Sequence, residues 1–105
     1  MIKTYLVVDA ADWTAEKNND KICLFEIQKY GFIHSSTLPG LKKIINRFIP
    51  NIDNKLVLCI NAQKKDISWE DKDTEHLYPH FYGLINKEDI VAVTTLKDFM
   101  ERNFK

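Results

Sequence analysis

The run Leu56-Val57-Leu58-Cys59-Ile60 is apolar at every position. A short, continuous apolar run with polar ends is typical of a strand that is buried on both faces. Residues 2–8, 67–70 and 90–96 are rich in β-branched and aromatic side chains or alternate between apolar and polar ones, and they predict further strands. We therefore predict a β-sheet with residues 56–60 at its centre.

Helices are predicted at fewer places. The clearest one follows Thr37, which is a predicted N-cap, and ends at Pro50, because the residue before a proline avoids helical geometry. Its apolar residues recur at helical spacing, namely Leu38, Leu41, Ile44, Ile45 and Phe48. Short helices are also predicted over residues 9–18 and 97–104, whereas residues 22–27 fit either a strand or a helical turn. Because strands outnumber helices, we predict the α+β class with two to three short helices.

The composition excludes several classes of protein. The chain has 105 residues, which suits a single domain over residues 1–105. Fifteen Lys and Arg residues balance fifteen Asp and Glu residues, so strong nucleic-acid binding is not expected. No apolar run approaches the ~18 residues of a membrane-spanning helix, so no membrane partner is expected. Two cysteines are too few for a disulfide scaffold, and the lack of an export signal predicts a cytoplasmic location.

The segment Gly31-Phe32-Ile33-His34-Ser35-Ser36 is predicted to be a short strand that runs into a helix start. On a strand, Phe32, His34 and Ser36 share one face. An imidazole and a hydroxyl beside an aromatic ring can hydrogen-bond a sugar or an amide in a cleft. The alternative is that His34 is a buried structural histidine and that Ser36 begins the cap of the following helix.

The segment Tyr78-Pro79-His80-Phe81-Tyr82-Gly83 is the densest aromatic patch. Pro79 excludes a continuous helix here, and in an extended chain His80 and Tyr82 share a face. Aromatic rings beside a histidine form a platform for a flat base or a nicotinamide ring. A packed core strand with polar tips at the sheet edge is the alternative interpretation.

The sequence gives weaker indications of a catalytic role for Glu70 and of a metal-binding role for His76. A carboxylate beside Trp69 can be desolvated, which suits acid–base chemistry or the stabilisation of a cation, but Glu70 also begins a run of charges typical of a solvated loop. His76 and His80 have the spacing of a helical metal pair, yet Pro79 lies between them. We therefore predict no metal site.

Together these segments resemble the family called domain of unknown function 952, and the resemblance covers nearly the whole chain. Its two sharpest motifs are the block Gly31-Phe32-Ile33-His34 and the block Pro79-His80-Phe81-Tyr82-Gly83. The strand that contains Tyr5, the pair Trp69-Glu70 and the apolar strands fit between and around them in the same order.

The resemblance implies the ADP-ribosyltransferase-like fold, a small split β-sandwich in which NAD lies in a cleft between two sheets. It implies a nucleotide such as NAD or ADP-ribose as the ligand. It also implies that Glu70 stabilises the positive charge that develops on the ribose as nicotinamide leaves, with His34 as a second catalytic candidate. The implied ligand-binding residues are His34, Ser36, His80, Tyr82 and Tyr5.

The chain departs from this family at Leu6, where members usually have a histidine after the first-strand tyrosine. Leucine cannot form a hydrogen bond, so this departure argues against full activity. The sequence leaves two functions open. One is a weak or relict enzyme that transfers ADP-ribosyl groups from NAD, and the other is a non-catalytic ligand-binding or protein-interaction module that uses the same cleft. No particular protein partner is indicated.

Overall fold

The computed structural model describes residues 2–48, 51–63 and 66–104, and its central element is a three-stranded antiparallel sheet. The strands are β1 (Ile2–Asp9), β4 (Lys55–Ala62) and β8 (Ile90–Thr95), in the order β1-β4-β8. The predicted central strand is therefore confirmed. The predicted stop at Pro50 lies outside the described residues.

Two smaller antiparallel sheets accompany the central one. Their strands are β2 (Lys21–Ile22), β3 (Ile33–His34), β5 (Ile67–Ser68), β6 (His80–Phe81) and β7 (Ile85–Asn86). The first small sheet has the order β3-β6-β5, and the second pairs β2 with β7. A backbone bridge between Tyr5 and Ser36 connects β1 to the segment after β3. The predicted strands over residues 31–36 and 67–70 are thus shorter than expected.

The described residues contain four α-helices, so the prediction of two to three was too low. They are α1 (Ala10–Glu16), α2 (Leu24–Tyr30), α3 (Leu38–Ile44) and α4 (Leu96–Asn103). The missed helix is α2, which lies where the pattern fitted two structures. It begins after Cys23 and ends at Gly31, both in the left-handed conformation with φ of 71° and 80°. None of the helices described is long and apolar enough to cross a membrane.

The central sheet separates two hydrophobic clusters, because successive side chains of a strand point to opposite faces. Leu6, Leu58 and Ile60 lie in the first cluster, which the small sheets cover with Ile22, Ile33, Phe81 and Ile85. Val57 lies in the second cluster, which α3 and α4 cover with Leu41, Leu96 and Phe99. The protein is therefore a mixed α+β domain with the small sheets, α1 and α2 on one face of its central sheet and α3 and α4 on the other.

Helix α3 is fixed to the segment that precedes β6. The Thr37 hydroxyl accepts a hydrogen bond from the backbone N–H of Gly40 at 3.2 Å, which confirms the predicted N-cap. The Thr37 backbone N–H donates to the carbonyl of Leu77 at 2.8 Å. Gly40 is buried against the same carbonyl, so a glycine at this position allows the close approach.

We expect Leu6→Ala to lower the free energy of unfolding by about 2–5 kcal/mol, since it removes buried methyl groups and leaves a cavity. Leu6 is 1% exposed. The matched control is Val91→Ala on β8, where the side chain is 53% exposed and the expected loss is below about 1 kcal/mol. Urea unfolding followed by circular dichroism measures both values. Equal losses for the two variants would contradict the position of Leu6 in the core.

We expect Gly40→Ala to lower the free energy of unfolding by about 1–3 kcal/mol, although alanine favours a helix by about 1 kcal/mol. A Cβ at Gly40 would lie 2.5 Å from the carbonyl oxygen of Leu77, which is backbone and cannot simply rotate away. The control is Gly83→Ala, whose Cβ would meet nothing within 4 Å. A stabilised Gly40→Ala variant in the same unfolding assay would show that this close approach is absent.

Candidate functional site

An open cleft of about 760 Å³ lies beside the sheet β3-β6-β5. One side is formed by aromatic and imidazole rings, and the other by the loop between β5 and β6 together with one side chain of α3. The lining residues are Phe32, Lys43, Glu70, Asp71, Lys72, Asp73, Thr74, Glu75, Leu77, Tyr78, His80 and Tyr82. A volume of this size is within the range of small-molecule sites, which is about 300–1,000 Å³.

The pairing of β3 with β6 explains how the rings come together. Ile33 lies opposite Phe81, and His34 lies opposite His80. Ile33 and Phe81 are buried in the first cluster, so the two histidines project from the other face of the small sheet. The centroids of the two imidazole rings are 5.8 Å apart.

Phe32 is at the centre of this ring cluster. Its ring stacks on that of His80 with a centroid distance of 4.3 Å and an interplanar angle of 19°. The rings of His34 and Tyr82 lie 4.7 Å and 5.8 Å from it. Tyr30 contacts His34 edge-on at 5.0 Å from the outer side. Flat rings packed in this way leave an apolar surface beside polar ring edges.

Each histidine lies beside one carboxylate. His34 Nδ1 is 3.3 Å from Glu26 Oε1 and hydrogen-bonded to it. His80 Nδ1 is 3.3 Å from Glu70 Oε1, but the angle does not suit a hydrogen bond, so this buried nitrogen has no hydrogen-bond partner among the described residues. Partial burial raises the pKa of Glu26, and the contact with His34 opposes that rise.

Glu70 also accepts a hydrogen bond from the hydroxyl of Tyr82. This hydrogen bond raises the pKa of the exposed Tyr82 phenol, because ionisation of the phenol would place two negative charges side by side. Glu70 is therefore the carboxylate that contacts both a histidine and a tyrosine of the ring cluster, at the edge of the cleft.

The loop between β5 and β6 forms one wall of the cleft. Two acidic residues of this cleft wall stabilise the loop itself. The carboxylate of Asp73 accepts hydrogen bonds from the backbone N–H groups of Leu77 and Tyr78 at 2.9 Å and 2.6 Å. Glu75 accepts one from Lys43 of α3 at 2.7 Å, between exposed side chains. An exposed pair of this kind contributes little to stability, about 0–1 kcal/mol, but it links the loop to α3.

The structure brings together four of the six residues that were predicted as catalytic or ligand-binding. Glu70, His80 and Tyr82 line the cleft, and His34 contacts the rings of His80 and Phe32. Ser36 is 5% exposed and is held by the backbone bridge to Tyr5. It does not line this cleft, because the chain leaves the small sheet after His34 and joins β1.

Tyr5 also lies away from the cleft. Its ring packs on Phe99 at 5.3 Å in the second hydrophobic cluster, on the helix side of the central sheet. Leu6 is in the first cluster and does not line the cleft either. The expectation that Tyr5 and Ser36 share a pocket with the histidines is thus not met by their positions.

Sequence reasoning missed Glu26, Tyr30 and the loop residues that stabilise the cleft wall. Glu26 lies on α2, for which the sequence pattern was ambiguous, so nothing in the neighbouring sequence indicated that Glu26 lies beside His34.

His76 packs edge-on against Trp69, with ring centroids 5.2 Å apart. Within the described ranges, no three His, Cys, Asp or Glu side chains are grouped in a way that could hold a metal ion.

Solved structures with the same fold come from protein CC0527 of Caulobacter crescentus. Its crystal structure matches with a TM-score of 0.73 and 20% sequence identity, over 89% of this chain and 84% of that chain. Its solution NMR structure matches with a TM-score of 0.72 and 20% identity, over 90% and 84%. Likeness at this level of identity shows the fold alone. No curated protein matches the sequence significantly.

A family model matches residues 7–93, which is well over half of the chain. The matched range includes both motif blocks, the ring cluster and the cleft wall. The family is described as "Protein of unknown function (DUF952)". The chain therefore belongs to the DUF952 family.

Proposed function

We propose that this protein is a nucleotide-binding domain whose cleft takes NAD or ADP-ribose. The observation that carries the proposal is the stack of Phe32 on His80, which gives one side of the cleft a flat surface. A planar heteroaromatic ring can lie on such a surface with the offset or edge contacts that aromatic pairs prefer. The cleft volume of about 760 Å³ is large enough for a nucleotide.

The polar groups around the stack match the ribose of such a ligand. Glu70 presents a carboxylate that accepts hydrogen bonds from hydroxyl groups, and the Tyr82 hydroxyl lies beside it. Lys72 lines the same cleft and has no salt-bridge partner in the part of the chain that the structure describes. We assign the phosphate end of the ligand to Lys72, because Lys43 is paired with Glu75.

We also propose that the domain has the ADP-ribosyltransferase-like fold. The packing of a central antiparallel sheet against two smaller sheets supports this proposal, since that class is a small split β-sandwich. A fold does not determine an activity, so the activity has to be argued from the cleft itself.

The proposed reaction is slow cleavage of NAD. The bond between the nicotinamide nitrogen and the anomeric carbon breaks, and nicotinamide leaves as a neutral molecule with the bonding electron pair. Glu70 stabilises the positive charge on the ribosyl group, and His34 accepts the proton of the attacking water or acceptor hydroxyl. Leu6 lies in the first hydrophobic cluster, so the proposed reaction depends on Glu70 and His34 and not on the side chain at this position.

We expect Phe32→Leu to weaken the binding of NAD and ADP-ribose by about two- to tenfold. Leucine keeps an apolar side chain but loses the stacking contribution of an aromatic pair, about 0.5–1.5 kcal/mol. Titration followed by the amide and imidazole NMR signals of His34 and His80 measures the affinity.

We expect Glu70→Gln to abolish turnover while binding persists. Release of nicotinamide from NAD measures the turnover.

The matched control is His76→Asn, which removes a histidine outside the cleft lining. His76 has φ of 55°, and asparagine tolerates this left-handed conformation better than most residues. The control should bind both ligands as the original protein does. If millimolar NAD and ADP-ribose leave the signals of both ring-cluster histidines unchanged, the proposed function is wrong.

A further inference from the structure

His34 and His80 form a pair in which each ring has one carboxylate near Nδ1. They lie directly opposite each other on β3 and β6, with ring centroids 5.8 Å apart. In each ring Nδ1 is the nitrogen that faces a carboxylate, at 3.3 Å from Oε1 of Glu26 or of Glu70. The two carboxylates come from different elements, since Glu26 is on α2 and Glu70 follows β5.

A carboxylate beside Nδ1 has a defined effect on a histidine. When the carboxylate accepts a hydrogen bond from Nδ1, as Glu26 can from His34, Nε2 is left as the nitrogen that exchanges a proton with a ligand. His34 therefore has the surroundings of a general base, whereas His80 has Glu70 near the same nitrogen without a hydrogen bond. The two rings are close enough to act on one reacting group.

The two imidazole rings differ in their exposure to solvent, and this difference gives each ring a different role in proton transfer. The His34 side chain is 53% exposed and faces Glu26, Tyr30, Phe32 and His80. The His80 side chain is 18% exposed and is stacked on Phe32, with Glu70 and Tyr82 beside it. His34 thus has access to water, and His80 lies next to the surface on which the nucleotide base is proposed to stack.

We propose that His34 and His80 act as general base and general acid in the hydrolysis of a nucleotide whose phosphate bridges the two vicinal ribose hydroxyls. This inference rests on the proposed function in one respect, namely that a nucleotide base enters the cleft. Displacement at such a cyclic phosphodiester needs one proton removed from the nucleophile and one given to a poor leaving group. Two adjacent imidazoles supply both transfers.

The step balances as follows. A water oxygen forms a bond to phosphorus while His34 Nε2 takes a proton from that water. The bond between phosphorus and one ribose oxygen breaks, and that oxygen takes a proton from Nε2 of the protonated His80. The product is a nucleoside phosphomonoester with one free ribose hydroxyl. His34 ends protonated and His80 neutral, and exchange with solvent restores the starting states.

We expect the protein to hydrolyse adenosine 2′,3′-cyclic phosphate to a phosphomonoester. Phosphorus NMR and chromatography measure the product. His34→Ala and His80→Ala should each lower kcat by about 10²–10⁴-fold, the usual contribution of general acid–base catalysis. Added imidazole should restore part of the rate to His34→Ala, because this ring is half exposed, and a purely structural role would not give that rescue. His80→Gln replaces His80→Ala if the latter does not fold.

The control His76→Asn should keep the original rate, and all variants are purified identically so that a contaminating nuclease would be recognised. Equal rates in the original protein and in both histidine variants would overturn the inference. Binding of the cyclic nucleotide, seen in NMR shifts, without any hydrolysis would overturn it while leaving the proposed function intact. Absence of both binding and hydrolysis would count against both proposals.

Discussion

The antiparallel pairing of β3 with β6 is the constraint on which the rest of the cleft depends. Because side chains alternate along a strand, one register sends Ile33 and Phe81 into the hydrophobic core and the two histidines to the opposite face. After a slip of one residue Ile33 would no longer lie opposite Phe81, so one of these two side chains would leave the core and one imidazole would enter it. The burial of Ile33 and Phe81 therefore fixes His34 opposite His80.

The cleft wall depends on a different kind of interaction. The loop before β6 has few apolar side chains, and it is held by hydrogen bonds to Asp73 and by its contact with the start of α3. The Ser35 hydroxyl donates to the carbonyl of Pro79 at 2.6 Å in a buried position, which ties the two motif blocks together. Polar contacts thus shape the wall, whereas apolar packing positions the rings.

Much of the fold could be predicted from the sequence, because its strongest signals are local. The run at residues 56–60 identified the central strand, and the Thr37 cap identified the start of α3. The alternation of side chains along an extended segment predicted that His80 and Tyr82 lie on the same face. Glu26 beside His34 could not be predicted, since this contact joins a helix of ambiguous pattern to a strand eight residues later. Ser36 failed as a cleft residue because the strand ends at His34 and the chain turns to pair with Tyr5.

The carboxylates beside the histidines are not required by the fold. The core needs Ile33 and Phe81 on one face of the small sheet, and any solvated polar residue would serve on the other. Instead Glu26 is partly buried, which raises its pKa and disfavours its charged form, and only the contact with His34 offsets this cost. His80 Nδ1 is buried at 3.3 Å from a carboxylate without forming a hydrogen bond. Groups that lower stability in this way are more common in sites that bind or react than in structural surfaces, which favours a chemical role for this pair.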